Sequence, residues 1–144
     1  MYFVDREKLE TTLVFLEKQI SLFSSQEHWS TPLERAALER LTHLMIESLL
    51  DVGNAIIDGF IMRDPGSYDD IIDILMDEKV ITAETGKSLK ILIQYRKVLV
   101  QLYTEIDHIE LQKQFSSHIN TLTLFPKNVR DYLANELGPV SAFN

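Results

Sequence analysis

Thr31-Pro32-Leu33-Glu34 is the stretch from which the fold can be read. A threonine at a helix start accepts a hydrogen bond from the backbone. Proline suits the first helical position, where its missing N–H costs nothing. A glutamate three residues after the threonine completes a capping box. From this start Leu41, Leu44, Met45, Leu49, Val52, Ile56 and Phe60 recur at three- and four-residue intervals, which puts them on one helical face. The pattern predicts a helix from Thr31 to Phe60, roughly 45 Å long at about 1.5 Å per residue.

The same signals recur on either side. Asp5 caps a first helix whose stripe is Leu9, Leu13, Leu16, Ile20 and Phe23, ending near Ser24-Ser25. Trp29 packs the loop that follows. Met62-Arg63-Asp64-Pro65-Gly66-Ser67 is a turn, since Asp-Pro-Gly does not fit a helix interior. Ser67 caps a short third helix, Tyr68 to about Glu78. Thr82 caps a fourth, which is predicted to run to about Ile106. A fifth runs from about Asp107 to Glu136, with Pro126 kinking or splitting it and Gly138-Pro139 stopping it. Long helices with short connections make an all-α, antiparallel helical bundle of about five helices, in a single domain over residues 1–144.

Composition narrows the function classes. A chain of 144 residues, 45% of them hydrophobic, is one domain with a real core. It has no run of about twenty apolar residues, so no membrane span is expected. Met1-Tyr2-Phe3-Val4-Asp5-Arg6-Glu7 lacks the basic and apolar regions of a secretory signal. The absence of cysteine excludes a thiol nucleophile, a disulfide and a thiolate metal site. Together these favour a cytoplasmic location. A net charge of −8 disfavours broad nucleic-acid binding while leaving room for a small basic site. No Gly-rich phosphate loop, Ser-His-Asp arrangement or aromatic-plus-basic platform is present. No cofactor is implied.

Tyr95-Arg96-Lys97-Val98-Leu99-Val100-Gln101-Leu102-Tyr103 carries the strongest candidate chemistry. On one regular helix Arg96 and Tyr103, seven residues apart, lie about 20° from alignment. Gln101 lies roughly 140° around from Arg96. Those two meet only if Arg96 reaches around, or if Gln101 comes from a second protomer. Spacing alone also fits a plain surface charge and a core-edge ring. The second helix adds Glu47, Asp51, Asn54 and Asp58 at helical spacing, with His43 one turn before Glu47. Such a stripe lines a cleft or dimer seam, or is the solvated side of an amphipathic helix. Glu105-x-x-His108 is half of a di-iron pattern without its second copy, so no metal site is expected. His28, His43, His108 and His118 all lie outside the Arg96–Tyr103 stretch.

Three segments in order carry a family resemblance. Arg96-x-x-x-x-Gln101-x-Tyr103 resembles the R-x-x-x-x-H-x-Y pattern of HepT-like toxins, a branch of the HEPN-domain ribonucleases. Pro65-Gly66-Ser67-Tyr68, followed by Leu75, resembles the family's P-x-S-Y segment. Asp58 to Asp70 and the tail Glu136 to Phe143 are similar to a Bacillus branch of the family. The resemblance implies a HEPN-like bundle and a metal-independent endoribonuclease that works as a homodimer through facing signature helices. It implies a partner, a minimal-nucleotidyltransferase antitoxin of the MntA type, which silences the toxin by transferring AMP to the signature tyrosine, here Tyr103. Arg96 falls on the family's arginine, and Glu47, Asp51 and Asn54 on the helix from which HEPN sites recruit a polar residue. Gln101 stands at the histidine position. Cleavage of RNA without metal needs a base for the 2′-hydroxyl, an acid for the departing 5′-oxygen and a cation for the phosphorane. Arginine supplies the cation; glutamine hydrogen-bonds but does not titrate. Two readings follow: a toxin-type ribonuclease with weakened or lost activity, or a non-catalytic dimeric bundle that binds a nucleotidyltransferase partner. Val98, Leu99 and Leu102 around Arg96 are the expected apolar part of the dimer seam.

Overall fold

The computed structural model describes residues 4–138. Pro139, and the tail segment up to Phe143 that contributed to the resemblance, lie outside the described residues. Six helices follow in order: α1 (Arg6–Ser25), α2 (Pro32–Gly59), α3 (Tyr68–Asp77), α4 (Ala83–Ile93), α5 (Tyr95–Val100) and α6 (His108–Leu137). The described residues contain no strand. The all-α bundle is therefore as the periodicity predicts, with α4 and α5 as two pieces of the fourth helix. Gln94, which separates them, keeps right-handed helical torsions.

Local chemistry sets the helix starts. Asp5, Thr31, Ser67 and Thr82 each accept a backbone N–H with their side chains. Thr31 and Glu34 form the full capping box, with Glu34 N–H on Thr31 Oγ1 at 3.2 Å and Thr31 N–H on Glu34 Oε1 at 3.0 Å. Asp107 caps α6 in the same way. Pro126 neither splits nor ends α6, which continues to Leu137. Gly138 stops it at φ 80°, a torsion that suits glycine.

The fourth helix is shorter than predicted. It ends at Val100, and residues 101–107 are turn and loop rather than helix to Ile106. The reason is topological. α6 packs back along α4, and an antiparallel return needs a few non-helical residues to reverse the chain. The core runs between the helices, with Leu13, Leu16, Leu38, Met45, Phe115 and Phe125 fully buried. Trp29 does pack the first loop, stacked on Phe23 with ring centres 5.9 Å apart. Leu99 belongs to this core too, which removes it from the expected dimer seam.

Helix α3 is seated on two glycines. A Cβ on Gly53 of α2 would lie 2.6 Å from Ile71 Cγ2, and one on Gly86 of α4 would collide with Met76. The loop before α3 is closed by a clamp: Arg63 donates Nη1 and Nη2 to Asp70 Oδ2 and Oδ1 at 2.8 and 2.9 Å. Gly66 N–H adds a third bond to the same carboxylate at 2.8 Å.

The ends of α2 and α3 share a device. Met62 N–H reaches back to Ile57 O and Ile61 N–H to Asp58 O; Val80 N–H reaches Leu75 O and Lys79 N–H reaches Met76 O. These are Schellman caps, whose turning residue takes the left-handed conformation that glycine adopts most easily. Here Ile61 (φ 56°) and Lys79 (φ 61°) occupy it. Lys79→Gly should therefore raise stability by about 0.5–1 kcal/mol, the steric relief outweighing the extra chain entropy. An unchanged or lowered urea midpoint would contradict that.

The clamp gives a pH dependence. The hydrogen bonds from Arg63, and then from Gly66, hold the Asp70 carboxyl down to about 2, below its ordinary 3.8. The folded pKa lies below the unfolded one, so the stabilisation is complete above about pH 4 and is lost as pH falls towards 2. Asp70→Asn should have a lower urea midpoint than wild type at pH 6. The gap between them should close from pH 4 to 2; a gap independent of pH would mean the clamp does not contribute.

Candidate functional site

The site grows from the junction of α2, α3 and α5. The Arg96 side chain, one quarter exposed, leaves α5 and donates Nε–H to Glu47 Oε1 on α2 at 2.7 Å. Its guanidinium carbon lies 4.6 Å from the centre of the Tyr68 ring, on the first residue of α3. A carboxylate at one edge and an aromatic face below fix the plane of the guanidinium. Among the described residues nothing accepts a hydrogen bond from its two terminal amino groups. Two such donors suit a phosphate.

Arg96 and Gln101 line one cleft of about 390 Å³, together with Tyr68, Asp69, Ile93, Gln94 and Lys97. Ile93, Lys97 and Gln101 follow one another at four-residue spacing, so the cleft runs along a ridge of the α4–α5 rod. Arg96 reaches across to it from the next position. The two residues therefore share a cleft within a single chain, although their roots lie on different faces.

The other sequence-derived candidates are placed differently. Tyr103, 65% exposed, lies past the end of α5, so the seven-residue spacing that puts it on one helical face with Arg96 does not operate. Asp51 lies one turn beyond Glu47; both line a second depression, of about 320 Å³, against Thr11, Thr12 and Phe15 of α1. Partial burial, and then the charge of Glu47, raise the Asp51 carboxyl above its ordinary range. Asn54 is exposed, one turn further along the stripe. Of the supporting residues, Glu47 alone touches Arg96. His43 Nε2 lies 3.5 Å from the same Glu47 Oε1. His108 bonds Glu39 Oε2 at 2.7 Å, and Glu105 is exposed in the loop before α6. Tyr68, Asp69 and Lys97 were not singled out by sequence as site residues. The place of Tyr68 in the Pro65-Gly66-Ser67-Tyr68 segment was the available signal.

Comparison with known proteins agrees with this architecture. The family model described as "Ribonuclease HepT-like" matches residues 10–129. YutE of Bacillus subtilis (strain 168), whose assignment as an RNase is provisional, is 58% identical over 99% of both chains. The solved structure of YutE, there described as a cytosolic protein of unknown function, superposes with a TM-score of 0.96 at 58% identity, covering 99% of this chain and 100% of that one. A chain from a toxin–antitoxin crystal structure with AMP-PNP matches with a TM-score of 0.75 at 15% identity, over 84% of this chain and 96% of that one. At that identity the likeness is one of fold. With its family pattern matched over most of its length and a near-identical architecture in a relative, the chain belongs to the HepT-like ribonuclease family.

Proposed function

We propose that this chain is the RNA-cleaving toxin of a bacterial toxin–antitoxin pair, a metal-independent endoribonuclease whose proton transfer is weakened. The observation that carries the proposal is the Arg96 guanidinium, held by Glu47 and Tyr68 in a cleft that Gln101 also lines. In the reaction the ribose 2′-oxygen attacks the neighbouring phosphorus and the bond from phosphorus to the 5′-oxygen breaks. The products are a 2′,3′-cyclic phosphate and a 5′-hydroxyl. Arg96 stabilises the charge on the phosphorane oxygens, and Glu47 and Tyr68 hold it in place. Gln101 positions the phosphate by hydrogen bonding. Asp51 and Asn54 continue the polar stripe of α2 beyond Glu47.

The second reading, a non-catalytic bundle that binds a nucleotidyltransferase, is favoured by one observation: the cleft residue at the family's histidine position does not titrate. An assay separates the two. In the presence of a chelator, Gln101→His should cleave a structured RNA faster than wild type, because a titrating side chain then shares the cleft with Arg96. Adding Arg96→Ala should abolish that gain. If neither wild type nor Gln101→His cleaves RNA, the ribonuclease reading fails and the binding reading stands.

The protein acts as a homodimer in this proposal. Val100 and Leu102, exposed by 38% and 42% on either side of Gln101 in the sequence, supply the apolar part of the seam in place of buried Leu99. Its partner is an MntA-like nucleotidyltransferase antitoxin, and its location is cytoplasmic. The presence of this fold in a toxin–antitoxin structure with AMP-PNP, the cytosolic description of YutE and the absence, among the described residues, of a helix long and apolar enough to cross a membrane support those assignments. The exposed Tyr103 hydroxyl is the AMP acceptor: its oxygen attacks the α-phosphorus of ATP, pyrophosphate leaves and the phenolic proton passes to solvent. Light scattering should return twice the chain mass. Incubation with the antitoxin, ATP and magnesium should add AMP to wild type and not to Tyr103→Phe. A monomer, or AMP addition that survives the substitution, would refute the respective assignment.

A further inference from the structure

A cleft that holds an oriented arginine but a non-titrating glutamine needs another group to move protons. Histidine is the side chain that exchanges protons near neutral pH. Of the four histidines, His43 alone shares a partner with Arg96: its Nε2 lies 3.5 Å from Glu47 Oε1, the atom that accepts Arg96 Nε–H at 2.7 Å. His108 is committed to Glu39. No contact joins His28 or His118 to Arg96.

We propose that His43 is the proton-transfer residue of this ribonuclease site, and the proposal rests on the ribonuclease reading above. His43 and Glu47 are one turn apart on α2, so the carboxylate faces the imidazole along the helix. A carboxylate so placed orients the ring. With Nε2 turned to Glu47, Nδ1 is the nitrogen left to exchange the proton. His43 is itself about one quarter exposed, open enough to meet a substrate. The charged groups around it are Glu39, Arg40 and Glu47 on its own helix, Arg96 from α5 and His108, on Glu39, from α6. Glu47 thus joins the two functions that the chemistry requires, holding the cation with its carboxylate while it orients the base.

The step balances on one residue. Neutral His43 takes the 2′-hydroxyl proton as the oxygen–phosphorus bond forms. The imidazolium returns that proton to the 5′-oxygen as the phosphorus–oxygen bond to it breaks. The histidine ends neutral, and no co-reactant is consumed.

The test uses full-length protein, a chelator and one structured RNA, across pH 5 to 9. Wild type, His43→Gln, Gln101→His and the double variant are compared, with their urea midpoints measured alongside. Wild type should cleave, with a rate that changes with pH. His43→Gln should lose about a hundred- to ten-thousand-fold and that pH dependence. The double variant should recover cleavage, because a histidine at position 101 supplies its own base. An unchanged rate and pH profile in His43→Gln would overturn the proposal and leave the ribonuclease reading intact. So would an inert wild type beside an active Gln101→His. Loss of cleavage in the double variant would assign His43 to holding Glu47 and Arg96 in place, and would also overturn it. Failure of all four proteins to cleave would instead overturn the ribonuclease reading itself.

Discussion

Burial of α2 on most of its circumference is the constraint on which the rest of the molecule depends. Its buried residues, from Leu38 to Gly59, cover roughly 200° of the helix at about 100° per residue. α1, α3, α5 and α6 all pack against it. Polar side chains can keep their water only on the remaining face, roughly 160° wide, and His43, Glu47, Asp51, Asn54 and Asp58 lie along its middle. Arg96 meets α2 on this face. Its side chain is only one quarter exposed, and a carboxylate in reach is what makes that burial tolerable. The ion pair is therefore a consequence of how α2 is packed, and it ties the signature arginine to the centre of the bundle.

The site also depends on where α3 begins. Gly53 and Gly86 let α3 approach α2 and α4 more closely than any side chain there would permit. The Arg63–Asp70 clamp fixes the loop that leads into it. Together they set the position of Tyr68, the first residue of α3, under the Arg96 guanidinium. This explains in physical terms why the Pro65-Gly66-Ser67-Tyr68 segment and the Arg96 stretch, nearly thirty positions apart, belong to one pattern. One supplies the aromatic floor and the other the cation that lies on it.

Much of this was legible from sequence because the signals are local. Caps such as Thr31 with Glu34, or Ser67, depend on residues within one turn, and apolar periodicity reports burial directly. What was not legible depended on tertiary context. The apolar spacing of the fourth helix continues beyond Val100, while the return of α6 requires residues 101–107 to turn. Leu99 looked like part of a seam because spacing marks an apolar position without saying which neighbour covers it. Glu47 was among the candidates, but Asp51 and Asn54 were equally good by spacing; only the approach of Arg96 separates them. Tyr68 and Lys97 entered the site through the meeting of α3 with the α4–α5 rod, which no local pattern encodes.

The charge balance completes the picture. A chain with net charge −8 repels a polyanion at long range, so recognition of a phosphate has to come from short-range geometry. The cleft supplies that geometry. Glu47 takes the Nε edge of Arg96, Tyr68 takes its face, and Lys97 and Gln101 line the same cleft. A guanidinium held this way has lost most of its freedom before any ligand arrives, which lowers the entropic cost of gripping one. Glutamine at position 101 adds donor and acceptor atoms to that grip without adding a proton that moves. The cleft wall is thus built for holding a phosphodiester, and proton transfer depends on what the polar face of α2 brings alongside it.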